Sequence, residues 1–265
     1  MLLGMSSAAF YARLDTECAA QQVRQYAVDS CEVFLETFSE YNRSFGQIVR
    51  EHLGELPCVS VHPKGTQFES DLFASYSRQR KDALHIFDGV CAAGEALGAS
   101  FYVLHGPPGF KSRIRPEKIR NLTDVFPEMQ KIAADHGMEI LWENVSWCAC
   151  SEPEDVRTLL ELFPEQRFVL DIKQAFHAGI DPFVMAEAMG KHLAHVHVLD
   201  WDLQGNLKLP GEGAFPFSRL VDWLREIDYQ GAVILEPYSH MTVDEKRLKE
   251  SVEYLRNMIA YPQRT

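Results

Sequence analysis

Seven apolar runs in this sequence each end in a residue able to bind a metal or move a proton. They are EVFLE to Glu36, VSVH to His62, FYVLH to His105, EILWE to Glu143, FVLD to Asp171, HVHVLD with His197 and Asp200, and AVILE to Glu236. An ionisable group at the end of a buried strand costs free energy unless it is paired or ligated. One such end is an accident, whereas seven in register point to a shared site. A barrel of parallel strands brings many strand ends to one mouth, and its active site lies at the carboxyl ends. The donors are oxygen and nitrogen only, which suits Mn²⁺, Zn²⁺, Mg²⁺ or Co²⁺ better than a thiolate site would.

The chain reads as strand then helix, repeated. The strands are LLGMSS, CEVFLET, CVSVHP, SFYVLHG, MEILWEN, RFVLDI, HLAHVHVLD and GAVILEP. Helical spacing or end signals mark residues 16–26, the segment SFGQIVREHLGEL, and residues 71–97, 116–136, 151–162, 182–189, 215–227 and 243–259. The strands are continuous Val/Ile/Leu/Phe runs without alternation, as expected of strands buried on both faces of a parallel sheet. An open doubly wound sheet is disfavoured because no glycine-rich phosphate fingerprint follows the first strand. Eight units in 265 residues match the ~250 typical of a closed (β/α)8 TIM barrel. The expectation is therefore a single α/β domain spanning residues 1–265.

The formal net charge of -12, from 38 acidic and 26 basic residues, argues against a nucleic-acid partner, which calls for a basic face. The nearest approach to one is Lys111, Arg113, Arg115, Lys118 and Arg120, read as a solvated loop and helix start. No apolar run approaches the roughly 18 residues of a membrane span. The N-terminus lacks the basic segment of a signal peptide and reads as a first strand, so no membrane association is expected and the cytoplasm is the default location. Only Cys148 and Cys150 of the six cysteines are close, and their one-residue gap is not zinc spacing. Reduced, mostly buried thiols are the expected state.

Glu143, Asp171, His197 and Glu236 end strands five to eight. Such strands are neighbours in a barrel, so the four can converge without long-range coincidence. Three carboxylates and one imidazole can hold a divalent ion with positions left for substrate oxygens. Polarising a carbonyl lowers the cost of removing the neighbouring proton, and the flanking carboxylates are placed to act as bases.

At these residues the sequence resembles a family. LWENV, VLDIKQAFHAG, HVHVLD followed by PGEG, and GAVILEP are similar to the sugar isomerase/epimerase superfamily with the xylose isomerase-like barrel, which also contains endonuclease IV. The resemblance covers essentially the whole chain. It implies a divalent ion at Glu143, Asp171, His197 and Glu236, with Glu143 and Glu236 facing each other across a sugar, sugar phosphate or inositol derivative and exchanging its proton. The sequence departs from the pattern at Gln174, where both branches usually carry histidine. It departs again at Gly205, Asn206 and Leu207, where the endonuclease branch has an Asp-x-His pair. His62 and His105 do match that branch, and with Glu143 bridging they offer a second-metal site.

Two rivals follow: an endonuclease IV-like metal-dependent phosphoesterase, and a non-catalytic sugar-binding barrel. His62, His105, Lys173 and Gln174 are the candidates for substrate contact or a second ion, with His62 and His105 expected nearer Glu143 than Glu236. Lys173, two residues past Asp171, is read as lying on the same side of the strand. Glu36 and Asp200 are expected to hydrogen-bond ligands rather than act as ligands, and His195 to lie deeper in the barrel than His197. Trp142, Trp147 and Trp201 are candidate walls of a sugar site. A homo-oligomer is compatible with the sequence.

Overall fold

The computed structural model describes residues 1–108 and 116–260. The strands, in chain order, are β1 (Leu2–Ser6), β2 (Ser30–Leu35), β3 (Cys58–Pro63), β4 (Phe101–Leu104), β5 (Glu139–Glu143), β6 (Arg167–Asp171), β7 (Leu193–Val198), β8 (Asp200–Trp201), β9 (Leu207–Lys208) and β10 (Ala232–Leu235). The α-helices are α1 (Thr16–Val23), α2 (Arg43–Leu53), α3 (Glu69–Leu72), α4 (Ser77–Leu97), α5 (Pro116–Asp135), α6 (Pro153–Leu162), α7 (Ile172–His177), α8 (Pro182–Met189), α9 (Phe217–Glu226) and α10 (Glu245–Ala260). Eight strands close into a barrel in the order β1-β10-β7-β6-β5-β4-β3-β2, with every pair parallel. The expected (β/α)8 architecture is therefore present.

Alternation along each strand sorts its side chains into two layers. Tyr102, Leu104, Ile140, Trp142, Phe168, Leu170, Val196 and Val198 are buried in the large core cluster together with helix residues such as Phe87, Phe126 and Leu159. Fully burying each such side chain contributes roughly 1.5–3 kcal/mol. Val103, Leu141 and Val169 form a separate small cluster with Ala194 and Phe101. Each lies two residues before His105, Glu143 or Asp171, so this apolar plug and the polar site belong to the same strand faces.

Local signals set the helix ends. Asn42 Oδ1 accepts the Phe45 N–H at 3.0 Å and starts α2. Asp155 Oδ2 accepts the backbone N–H of Glu152 and Ser151 at 2.9 and 3.1 Å before α6, and Asp181 caps α8 through Phe183 N. Gly98 closes α4 at φ +74°, a left-handed position that favours glycine.

Three local features depart from expectation. The helix anticipated over residues 71–97 is two helices, because the chain turns extended at Tyr76 (ψ 113°) between α3 and α4. β7 stops at Val198, and Asp200 belongs instead to the β8–β9 hairpin. Helix α7 begins directly after β6, with Asp171 as its N-cap. Lys111, Arg113 and Arg115 lie outside the described residues, while Lys118 and Arg120 fall in the first turns of α5. Among the described residues no helix is long and apolar enough to cross a membrane.

Candidate metal centre

β5, β6, β7 and β10 are consecutive staves of the barrel. Asp171 pairs in register with His197, and His197 with Ile234, so the last residues of these strands reach one level. Glu143, Asp171, His197 and Glu236 each present a donor atom within 4.8 Å of the others. Their side chains are 2%, 2%, 1% and 11% exposed, respectively. His197 Nδ1 lies 3.0 Å from Glu143 Oε1 and 3.6 Å from Glu236 Oε2.

Asn144 holds Asp171 in place: its Nδ2 donates to the Asp171 carbonyl at 2.9 Å, and its Oδ1 accepts the Asp171 N–H at 2.8 Å. Asp171 divides its carboxylate between two tasks. Oδ1 accepts the Gln174 N–H at 2.9 Å as the cap of α7; Oδ2 faces the site.

Lys173 is drawn in by that same first helical turn rather than by strand alternation. Its buried ammonium sits 3.3 Å from Asp171 Oδ2 and 3.2 Å from Glu236 Oε2, and 5.0 Å from the centre of the Tyr238 ring. Gln174 is tied to the β5 loop, its Oε1 accepting Ser146 Oγ–H at 2.8 Å. Both residues line the cavity with the metal-ligand candidates.

His62 and His105 also face this mouth. Their Nε2 atoms are 2.7 Å apart, and His105 Nε2 is 3.0 Å from Glu143 Oε2. His62 does not favour Glu143 as expected. Its Nε2 is 3.9 Å from Glu143 Oε2 while its Nδ1 is 3.5 Å from Glu236 Oε1. Standing on β3 across the lumen, the ring spans the two carboxylates with its two nitrogens. His62, His105 and Glu143 form a second convergent donor group.

Glu32 in β2 went unnoticed in the sequence, where Glu36 drew attention instead. Its carboxylate is fully buried and accepts from Ser60 Oγ at 2.8 Å. The same Oε2 lies 3.2 Å from His195 Nε2 and 3.0 Å from His197 Nε2. His195 is fully buried below His197, as expected. Asp200 is no neighbour of the ligands: it accepts backbone N–H groups from Trp201, Gly211, Gly213 and Phe215 at 2.8–3.2 Å and so shapes the PGEG loop. A Cβ on Gly213 would stand 2.3 Å from its Oδ1, so no side chain fits there. Of the tryptophans, Trp142 is core, Trp201 stacks on Phe176 at 4.4 Å, and Trp147 meets His105 edge-on at 6.1 Å. Tyr11, Phe34 and Tyr238 supply the aromatic lining of the cavity, whose volume is about 290 Å³.

The electrostatics reflect crowded carboxylates. Burial opposes ionisation of Glu143, but His105 and His197 hold it well below the usual carboxylate range. Glu236 is likewise opposed by burial and is drawn down to about 2 by Lys173, His197 and His62. Asp171 is raised to about 6 by burial, with Lys173 acting against Glu143 and Glu236. Burial would lower His62, yet Glu236 and Glu32 raise it to about 10. Such carboxylates demand positive charge, which a divalent ion can supply while leaving imidazoles neutral. The donor set fits such an ion on its own chemistry: three nearly buried carboxylates and one imidazole, all oxygen and nitrogen donors, lie within 4.8 Å of one another.

Residues 20–258 match the family model of the xylose isomerase-like TIM barrel. The chain belongs to this family. A D-psicose 3-epimerase of Enterocloster bolteae is 30% identical over 129 residues, 47% of this chain and 40% of that relative, so the match spans less than half of the relative's length. D-psicose 3-epimerase with D-tagatose from Clostridium cellulolyticum H10 superposes over 100% of both chains, with a TM-score of 0.78 and 17% identity. The IOLI protein with a bound zinc atom covers 97% of this chain and 96% of its own, at a TM-score of 0.71 and 17% identity. At that identity, the two structures establish the fold.

Proposed function

We propose that the protein is a divalent-metal-dependent isomerase or epimerase of a sugar, sugar phosphate or inositol derivative. The observation that carries this reading is the four-donor group Glu143, Asp171, His197 and Glu236, three carboxylates and one imidazole brought within 4.8 Å of one another at one end of the barrel. The epimerase relative and the zinc-bound neighbour support it. Mn²⁺, Zn²⁺, Mg²⁺ and Co²⁺ are the ions such donors favour.

Glu143, Asp171, His197 and Glu236 would hold the ion, which would supply Lewis acidity at the substrate carbonyl and so ease removal of the proton beside it. Glu143 and Glu236 are the acid/base pair. One takes the proton from the carbon beside the carbonyl. Delivery by the other to the opposite face inverts that carbon, whereas delivery to the former carbonyl carbon isomerises the sugar. The Lys173 ammonium and the Gln174 side chain border the same cavity and hold substrate oxygens, Gln174 from the position where the family more often places histidine. Tyr11, Phe34 and Tyr238 cover the apolar faces of the ring.

The phosphoesterase reading draws on the His62, His105 and Glu143 group, but the formal net charge of -12 works against holding a nucleic-acid backbone. Turnover of candidate ketoses in deuterated water tests the main proposal. Deuterium is expected at the carbon beside the carbonyl, and Glu143→Gln or Glu236→Gln is expected to lower kcat by about 10²–10⁴. Complete retention of the substrate hydrogen would assign a hydride shift instead, and hydrolysis of abasic-site DNA with no ketose turnover would favour the phosphoesterase.

A further inference from the structure

We propose that Glu32 is the positioning residue that fixes the His197 imidazole for metal ligation, an inference that rests on the metal-dependent reading above. His197 presents its two nitrogens to different partners: Nδ1 faces Glu143 and Glu236, and Nε2 faces Glu32 Oε2 at 3.0 Å. Nδ1 is the nitrogen turned toward Glu143 and Glu236, and so the one placed to join an ion shared with them. A neutral imidazole then carries its single N–H on Nε2, and that N–H needs an acceptor. Glu32 is that acceptor, at a depth where the side chain has no exposure to water.

The surroundings of Glu32 are built for this task. An isolated buried carboxylate is costly, and two groups offset the cost: Ser60 Oγ–H donates to Oε2 at 2.8 Å, and His195 Nε2 lies 3.2 Å away. Both are fully buried. The other oxygen, Oε1, is left without a hydrogen bond and stands 3.5 Å from His62 Nδ1, which also has none. One carboxylate thus addresses three imidazoles, those of His62, His195 and His197. Hydrogen-bonded carboxylates behind metal-bound histidines orient the ring and raise its basicity, and losing one typically costs about 10–100-fold in metal affinity.

The test uses the full chain with Mn²⁺ and Zn²⁺ as probes, and two independent readouts. The Mn²⁺ affinity of wild type, Glu32→Gln and His195→Gln is measured calorimetrically. The His197 ring tautomer is read from ¹⁵N NMR of the zinc-loaded wild type, which needs no variant to fold. Glu32→Gln is expected to bind Mn²⁺ about 10–100-fold more weakly, His195→Gln to change affinity by less than about threefold, and His197 to carry its proton on Nε2. A Glu32→Gln protein with wild-type affinity, or a His197 proton on Nδ1, overturns the inference while leaving metal dependence intact. Absence of any Mn²⁺ or Zn²⁺ uptake by wild type overturns both.

Discussion

Asn144 and Asp171 exchange two hydrogen bonds, side chain to main chain, at 2.9 and 2.8 Å. The pair continues the β5–β6 ladder beyond Glu143↔Val169, where strand pairing stops, and sets the height of the Asp171 carboxylate against that of Glu143. Asn144→Ala strands a buried N–H and a buried carbonyl, at roughly 1–3 kcal/mol each. The expected outcome is a stability loss of about 2–4 kcal/mol by urea unfolding, together with weaker metal binding. A loss below about 0.5 kcal/mol, within the range of an ordinary surface substitution, would show that the pair does not hold the site.

Asp171 itself has a sharper role. Protein purified without chelator should carry close to one divalent ion per chain by elemental analysis, and Asp171→Ala should carry none. Stripping the wild type with chelator should lower its melting temperature, since an ion bound only to the folded state stabilises it by mass action. Full metal retention by the variant would exclude the four-residue centre.

Lys173 places a cation between two of the same carboxylates, so it competes with the ion for charge. Lys173→Met removes the competitor. In the metal-free protein the variant should be less stable by about 3–5 kcal/mol, the cost of leaving buried carboxylates unpaired, and its affinity for Mn²⁺ should rise. Weaker metal binding would mean that the ammonium supports the ion rather than opposing it.

Glu36 offers a pH signature away from the centre. Burial, and then repulsion from Glu40, raise its carboxyl to about 7 from its ordinary value of 4.5. A raised folded value means that the native state holds more protons than the unfolded state between those limits, so stability falls as pH rises through that window. Glu36→Gln should lose this dependence and gain on wild type by on the order of 1 kcal/mol between pH 5 and pH 8, after solvent screening. Parallel stability profiles for the two proteins would remove Glu36 as the cause.

The barrel was legible because its strands are apolar runs that end abruptly in ionisable residues. The ligand candidates were legible for the same reason: Glu143, Asp171 and Glu236 each follow three or more apolar residues. Glu32 escaped because it lies inside the run, between Cys31 and Val33, where strand endings give no signal. A charge in the middle of a strand buried on both faces was the available clue. Lys173 was named, but for the wrong geometric reason, since the helix begins at Ile172 with no intervening loop. The β8–β9 hairpin went unseen because two-residue strands leave no periodicity.

The barrel closes through contacts between the two ends of the chain. β1 pairs with β10, Leu2 opposite Ala232 and Met5 opposite Leu235. Arg13 then reaches Ser239 O at 2.8 Å and Thr242 Oγ1 at 2.7 Å, anchoring the segment that carries Tyr238 over the cavity. Pairings this distant in sequence are formed slowly, because the loop entropy must be overcome before they give any return. A growing polypeptide therefore displays Glu143, Asp171 and His197 well before Glu236 emerges to complete the set. On the metal-dependent reading proposed above, metal capture and ring closure would be one coupled event, with the free concentration of the ion during synthesis setting how readily newly made chains commit to the finished barrel.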